Sequence, residues 1–225
     1  AAFHGAAEAV RRLIDQGSSV DARTEHYSKT PLHEVCRRRH RGATLWREAN
    51  GWDPIACFEL LKAAGANLEA SDRFGNVPLH YAAKVAPSLT ALLIEAGVSV
   101  NVRNKDGCTP LHLAARQWHG HDKLTAGKIT VPLLLRAGAK VNATDRHGLK
   151  PMHHAVDSDN RRVVPELLRA GASIPYTCAV SPYVYRVSKA GGFKKYEQAH
   201  LARITKILAP TPRLPPEMVR KIVEF

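Results

Sequence analysis

Histidine and cysteine are the residue types of this 225-residue chain that could serve as acid–base groups, nucleophiles or metal ligands. His119 and His121 lie near Cys108 in sequence, but no second ligand pair has the spacing of a zinc site. The chain contains no phosphate-binding glycine-rich loop, no Gly-x-Ser-x-Gly motif and no His-Glu-x-x-His motif. We therefore predict no catalytic residues, no metal and no cofactor, and we expect that the chain is not an enzyme.

Four other histidines recur with the same neighbours, which argues against a catalytic role. They end the tetrapeptides Thr-Pro-Leu-His, Val-Pro-Leu-His or Lys-Pro-Met-His, at His33, His80, His112 and His153. Proline is well tolerated at the first position of a helix, so each tetrapeptide predicts a helix start. A side chain that returns in every copy of a repeated motif is typical of a structural contact. We expect each ring to join the turn before it to the helix that it begins.

A leucine-rich run that ends at a glycine follows each tetrapeptide, and the pattern has a period of 33 residues. Glycine most readily adopts the left-handed conformation that ends a helix. The closing glycines are Gly65, Gly97, Gly138 and Gly171, with an earlier one at Gly17. Two short helices and a turn, repeated at this period, resemble the ankyrin repeat.

The resemblance implies an all-α ankyrin-repeat solenoid, in which helix–turn–helix repeats are joined by β-hairpin fingers. It covers residues 1–174, where the first repeat is truncated because the chain begins inside it. Residues 175–208 match poorly, and we interpret them as a degenerate capping repeat, which a solenoid needs to cover its last apolar face. We predict that residues 209–225 form a C-terminal tail helix.

Two insertions distinguish this chain from a regular array. Repeat 1 carries about 14 extra residues and repeat 3 about 8, in both cases between the two helices of the repeat. All three tryptophans lie in these insertions, at Trp46, Trp52 and Trp118. Tryptophan is a frequent anchor of protein interfaces. The alternative is that the indoles only cover the neighbouring repeat.

The tail resembles the opening of an F-box, the helical segment that docks on a Skp1-like adaptor of ubiquitin ligases. It has proline at a helix start and apolar residues at helical spacing. The residues that would contact the adaptor are Leu214, Pro215, Met218, Ile222 and Phe225. The alternative is an amphipathic helix that folds back on the solenoid.

Charge and cysteine content limit the partners and the compartment. Lysine and arginine number 33 against 20 acidic residues, a formal net charge of +13, which favours acidic partners. The four cysteines form no Cys-x-x-Cys pair, so we predict reduced thiols in an intracellular protein of the cytoplasm or nucleus. No apolar run approaches the roughly 20 residues of a membrane span.

The ankyrin resemblance also implies which residues touch a partner, because these lie at the finger tips and at the end of the first helix of each repeat. Carried over by position, they are His26, Tyr27, Arg37, Arg38, Arg73, Phe74, Lys84, Lys105, Arg116, Gln117, Arg146 and His147. Stacking of the repeats would align them into two basic rows. The alternative is that these exposed cations only keep the chain soluble.

We therefore expect a non-catalytic protein–protein interaction module that presents a basic concave surface to an acidic surface or peptide of another protein. The alternative is a substrate-recognition subunit of a ubiquitin ligase, acting through the F-box-like tail. We expect a monomer with no membrane association. We do not expect nucleic-acid binding, because the chain lacks the combined aromatic and basic stripe of a single-strand binder.

Overall fold

The structure is a computed structural model that describes residues 6–37, 53–116, 126–158, 160, 162–174 and 182–208. In these ranges every regular element is an α-helix, which confirms the predicted fold class, and the fingers between repeats are turns. The described helices are α1 (Ala6–Asp15), α2 (Pro31–Arg37), α3 (Pro54–Ala63), α4 (Pro78–Val85), α5 (Pro87–Glu95), α6 (Pro110–Ala115), α7 (Ala126–Arg136), α8 (Pro151–Asp157), α9 (Val164–Arg169), α10 (Pro182–Lys189) and α11 (Phe193–Leu208).

The helices of residues 1–173 pack in two layers. The first helices of the repeats, α2, α4, α6 and α8, stack one on the next, and α1, α3, α5, α7 and α9 stack behind them. The core between the layers contains Leu32, Leu79, Leu111 and Met152, each 0% exposed. Ala82 and Ala83 of α4 are equally buried, because a small side chain lets neighbouring helices approach closely.

The predicted helix starts and stops are confirmed. α2, α4, α6 and α8 begin at the proline of each tetrapeptide. Asp53 caps α3, where its Oδ1 accepts the N–H groups of Ile55 at 2.9 Å and Ala56 at 3.1 Å. The closing glycines all have φ between 78° and 85°.

Pro132 and Pro165 each lie six residues before a closing glycine, but they occupy different positions in their helices. The sequence predicts that the second helices of repeats 3 and 4 either start late or bend at Pro132 and Pro165. α9 starts late, at Val164, so Pro165 lies in its first turn, where a missing N–H costs little. α7 begins at Ala126 and contains Pro132 in its interior.

The chain divides into two compact units, Ala1–Ser173 and Ile174–Phe225. In the second unit α10 and α11 pack against each other. The turn between them contains Gly191 and Gly192, both at positive φ. The capping role of residues 175–208 stays a prediction.

Candidate protein-interaction surface

The four fingers are the turns that precede α2, α4, α6 and α8, and they comprise residues 25–29, 72–76, 104–108 and 145–149 (fingers 1 to 4). In finger 2, Oδ1 of Asp72 accepts the N–H groups of Phe74 at 2.8 Å and Asn76 at 2.9 Å. Asn104 and Asp145 make the same pair of bonds in fingers 3 and 4. Fingers 2 to 4 are therefore each closed by their own first side chain, whereas in finger 1 the N–H of Lys29 donates to Oγ1 of the preceding Thr24 at 3.0 Å. The two residues at every tip are exposed.

The finger tips are also joined to each other through the backbone. The N–H of Arg73 donates to the carbonyl of Tyr27 at 2.8 Å, and the N–H of Lys105 donates to the carbonyl of Phe74 at 2.9 Å. In the same way, the N–H of Arg146 donates to the backbone carbonyl of Asp106 at 2.9 Å. These bonds bring the backbones so close that a Cβ at Gly107 would lie 2.8 Å from the N atom of Arg146.

Three of the four repeat histidines, His33, His80 and His112, join their helix to the following finger. Among the described residues, His153 makes only the bond to the N–H at its own helix start. His80 is buried, Nδ1 accepts the N–H of Val77 at 3.2 Å, and Nε2 donates to the carbonyl of Cys108 at 3.0 Å. His33 and His112 make equivalent contacts. Burial lowers the pKa of His80 and of His112 to about 4 and lowers that of His33. These rings are therefore neutral structural links, as the recurrence of the motif predicts.

Threonine precedes the proline in two of the tetrapeptides, a position where its hydroxyl could cap the helix by accepting a backbone N–H, but the hydroxyl has another partner. The hydroxyl groups of Thr30 and Thr109 lie 2.8 Å and 2.9 Å from Nδ1 of His33 and His112. Since Nδ1 is the unprotonated nitrogen, the hydroxyl donates to it instead of accepting a backbone N–H. Val77 has no hydroxyl and still donates its N–H to His80, so the backbone bond is the contact that recurs.

Lys29 lies against two aromatic rings at fingers 1 and 2, and a third ring adjoins one of them. We call these three residues, Tyr27, Phe74 and Tyr81, the finger aromatic cluster. Tyr27 and Phe74 are 50% and 49% exposed, with ring centroids 6.0 Å apart. The Nζ of Lys29 lies 5.0 Å from the ring centroids of both Tyr27 and Tyr81. The hydroxyl of Tyr81 donates to Oδ2 of Asp72 at 2.6 Å, and burial together with this bond raises the pKa of Tyr81.

A comparison with known protein families agrees with this repeat geometry. A family model described as ankyrin repeats matches residues 45–126 and, overlapping them, residues 87–178, which together are more than half of the chain. The chain belongs to the ankyrin-repeat family. No curated protein matches the chain. Ankyrin repeats mediate binding to other proteins and are typically non-catalytic. None of the described helices has the length and apolar character needed to cross a bilayer.

In this ankyrin array, the tip residues carried over from the resemblance are all exposed. They are His26, Tyr27, Arg73, Phe74, Lys105, Asp106, Arg146 and His147. At the helix ends Arg37 and Arg116 are exposed and Lys84 is partly buried. Ten residues with a predicted role lie outside the described residues. The predicted partner contacts among them are Arg38 and Gln117, and the insertion anchors are Trp46, Trp52 and Trp118. The predicted adaptor contacts among them are Leu214, Pro215, Met218, Ile222 and Phe225.

Acidic side chains interrupt the two basic rows of the ankyrin surface. Arg37 pairs with Glu34 at 2.7 Å, and this hydrogen bond raises the pKa of the guanidinium. Arg146 pairs with Asp106 of the preceding finger at 2.9 Å, with both side chains 58% exposed. The rows are therefore mixed in sign, with an ion pair at Arg37 in the helix-end row and another at Arg146 in the tip row.

Sequence reasoning missed two members of the surface, Lys29 and Tyr81. Lys29 is the last residue of finger 1, and Tyr81 lies one turn into α4, so neither is a tip or helix-end position. A comparison of the repeats in register would have placed Tyr81 nine residues after Asp72. His154 lies at the same separation from Asp145, and both pairs are hydrogen bonded.

Proposed function

We propose that this ankyrin array binds an acidic segment of another protein across fingers 1 and 2, with the finger aromatic cluster as the apolar anchor. The observation that carries the proposal is the pair of half-exposed rings, Tyr27 and Phe74, on adjacent tips. Exposed aromatic rings are the side chains most often found at the energetic centre of protein interfaces. Their position on two fingers, held by a backbone bond from Arg73 to Tyr27, makes the anchor rigid before binding.

The cations near the aromatic pair favour an acidic ligand. Arg73 directly precedes Phe74 in the chain, and its Nη1 lies 3.4 Å from the carbonyl of His26 on finger 1. Lys105 occupies the tip of finger 3. Arginine forms bidentate bonds with carboxylate and phosphate groups. The net charge of +13 adds a long-range attraction that speeds association with an acidic partner.

The preformed surface also supports binding to a folded surface or an extended peptide at low entropic cost. The fingers are closed by Asp72, Asn104 and Asp145 and are linked through the repeat histidines, so little backbone freedom remains to be lost. Rim charges mainly set the association rate, while the aromatic anchor sets the dissociation rate. The two groups of side chains therefore predict separable kinetic effects.

Selection of peptides from a random library by the purified chain tests the proposal. We expect enrichment of sequences that combine acidic residues with an apolar residue. For a selected peptide, Phe74→Ser should weaken binding by at least about tenfold through faster dissociation. Arg73→Glu together with Lys105→Glu should slow association and reduce its dependence on salt.

Matched variants on the second-helix layer provide the controls. Ile129 is 51% exposed on α7 and Arg136 is exposed at the end of the same helix. Ile129→Ser therefore repeats the apolar-to-polar change away from the fingers and should leave binding unchanged. Arg136→Glu changes the net charge alone and should lower the association rate much less than the finger substitutions do. Selection of peptides without acidic residues, or equal effects of Phe74→Ser and Ile129→Ser, would reject fingers 1 and 2 as the binding site.

A further inference from the structure

Three potential metal ligands of different chemistry meet where finger 3 contacts repeat 4. The Nε2 atom of His154 lies 3.0 Å from Oδ2 of Asp145, and the Sγ atom of Cys108 lies 4.0 Å from the same oxygen. The three ligand atoms all lie within 4.8 Å of one another. Among the described residues no other set of three histidine, cysteine or acidic ligands comes this close. The residues are 37 and 9 positions apart in the chain, so no short motif announces them.

Each ligand is held in place by bonds that do not use its donor atom. Oδ1 of Asp145 accepts two N–H groups of finger 4, which fixes Oδ2 toward the other two residues. The ring of His154 packs edge to face against His112, with centroids 5.4 Å apart. The backbone of Cys108 is fixed by Asn104 and by His80. A set of donors fixed in this way needs little reorganisation to close on an ion.

The donor set and its spacing suit zinc. Zinc takes thiolate, imidazole and carboxylate ligands at about 2.0–2.3 Å in tetrahedral geometry, so its ligand atoms lie about 3.3–3.6 Å apart. The observed separations, 3.0 Å, 4.0 Å and at most 4.8 Å, bracket this value and need changes of at most about 1.5 Å to reach it. Magnesium and calcium prefer oxygen ligands alone, which the thiol and the imidazole do not supply.

We propose that Cys108, Asp145 and His154 form a zinc-binding site that joins finger 3 to repeat 4, with water as the fourth ligand. This departs from the absence of a metal expected from the sequence. On binding, zinc replaces the proton on Sγ, which passes to solvent. The proton of His154 moves from Nε2 to Nδ1 by way of solvent, so the ring stays neutral and Nε2 binds the ion through its lone pair. Without metal the thiol is protonated, because burial and the charge of Asp145 raise the pKa of Cys108 to about 11.

Access and local charge are compatible with a cation. The side chain of His154 is 16% exposed, whereas that of Asp145 is 3% exposed, so the ion reaches the site along the imidazole edge. Arg146 and Arg116 are the cations that act on Cys108, and Arg146 is compensated by its ion pair with Asp106. The carboxylate of Asp145 and the thiolate formed on binding neutralise the two charges of the ion.

The equivalent positions of the other repeats show that this ligand set is particular to one place. Between fingers 2 and 3 the three positions hold Asn76, Asn104 and Leu113, and an amide bond of 2.9 Å joins Asn104 to Asn76. Between fingers 1 and 2 they hold Lys29, Asp72 and Tyr81. Neither set can bind zinc, so the repeat fold does not require a thiol, a carboxylate and an imidazole here.

The test uses the full chain, stripped of metal with a chelator and kept reduced, and titrates it with Zn²⁺ against a chromophoric zinc indicator and separately with Co²⁺. We expect one equivalent of tightly bound zinc. Bound Co²⁺ should show the absorption of a tetrahedral ion and a thiolate-to-metal charge-transfer band. Cys108→Ser should abolish that band, and His154→Gln should weaken zinc binding by at least about tenfold.

A second variant and a matched control keep the result interpretable. Asp145→Asn retains the acceptor that closes the finger, as Asn104 does in finger 3, so it should fold and still lose at least about tenfold in zinc affinity. Cys57→Ser removes a buried thiol outside the three proposed zinc ligands. It should change neither the charge-transfer band of bound Co²⁺ nor the zinc affinity. Failure of the wild-type chain to bind one equivalent, or a charge-transfer band that survives in Cys108→Ser, would overturn the proposal.

Discussion

Two contacts between neighbouring fingers have the same framework and different chemistry. In the contact between fingers 1 and 2, Asp72 closes its turn with Oδ1 and accepts a hydrogen bond from Tyr81 with Oδ2. In the contact between fingers 3 and 4, Asp145 does the same, with His154 as the donor. A repeat histidine packs edge to face on the donor in both, with centroids 5.9 Å and 5.4 Å apart.

The difference lies in what surrounds the second carboxylate oxygen. In the first contact Lys29 lies over the ring of Tyr81, the donor to this oxygen, whereas Cys108 approaches the oxygen itself in the other. Since Oδ1 already closes the finger, Oδ2 and its neighbours can vary without loss of the turn. One repeat framework thus carries a proposed protein-binding patch at one end and a proposed ligand cluster at the other.

A fall in pH should produce the largest loss of stability. It should act through the repeat histidines, which the array has in common, and not through the side chains that differ between the two contacts. The pKa of His80 and of His112 is about 4 in the folded chain, below the value of about 6.5 in an unfolded chain. The unfolded state therefore binds more protons between these values, and the free energy of unfolding falls as the pH falls through that window. The loss is up to about 3 kcal/mol for each histidine.

Denaturant unfolding at several pH values between 7 and about 4 measures this loss. His112→Asn removes one of the two groups and should give a shallower decline, although it lowers the stability at neutral pH. Tyr81→Phe alters only a side chain that differs between the contacts and should leave the decline unchanged. Parallel curves for the wild type and His112→Asn would contradict the assignment.

Removal of the finger-closing carboxylate should cost about 3 kcal/mol, because two backbone N–H groups lose their acceptor. Asp72→Ala and Asp145→Ala should be similar in this respect, since the two contacts share the framework. Asp72→Asn and Asp145→Asn should cost about 1 kcal/mol or less, as Asn104 performs the same role in finger 3. If asparagine is as harmful as alanine in denaturant unfolding, the partner of Oδ2 matters more than the framework.

The smallest effect concerns the hydroxyl that is specific to the first contact. Tyr81→Phe removes a partly buried hydrogen bond to a carboxylate and should lower the free energy of unfolding by about 1–2 kcal/mol. Tyr27→Phe removes an exposed hydroxyl from the same cluster and should have no measurable effect on thermal stability. Equal stability losses in the two variants would show that the bond to Asp72 is not what distinguishes this contact.

The helices were predictable because their signals are local. Proline at a helix start, buried leucine and a closing glycine each have a reason within one repeat, and the structure has them where the spacing predicts. The partner of the Thr109 hydroxyl is not predictable from the rule for helix caps, which considers the backbone alone and ignores the histidine ring three residues on.

Contacts between repeats were harder to predict, since they join residues that are distant in the chain. The pairing of Arg146 with Asp106 spans one repeat and interrupts a row that looks basic when the tips are considered one by one. The pairing of Arg37 with Glu34 is a three-residue helical spacing and could have been recognised. Lys29 and Cys108 occupy the same repeat position, which alignment of the repeats in register would have revealed.

The backbone ladder along the finger tips also determines where this chain can change in length. An extra residue in finger 3 would separate the N–H of Lys105 from the carbonyl of Phe74 and would disturb the bond from Arg146 to Asp106 as well. In repeat 2, where the link between the two helices is Ala86, the link takes no part in the ladder. Both insertions of this chain fall in the equivalent link of repeats 1 and 3, and it is the position at which a foreign loop could be grafted without shifting the tips.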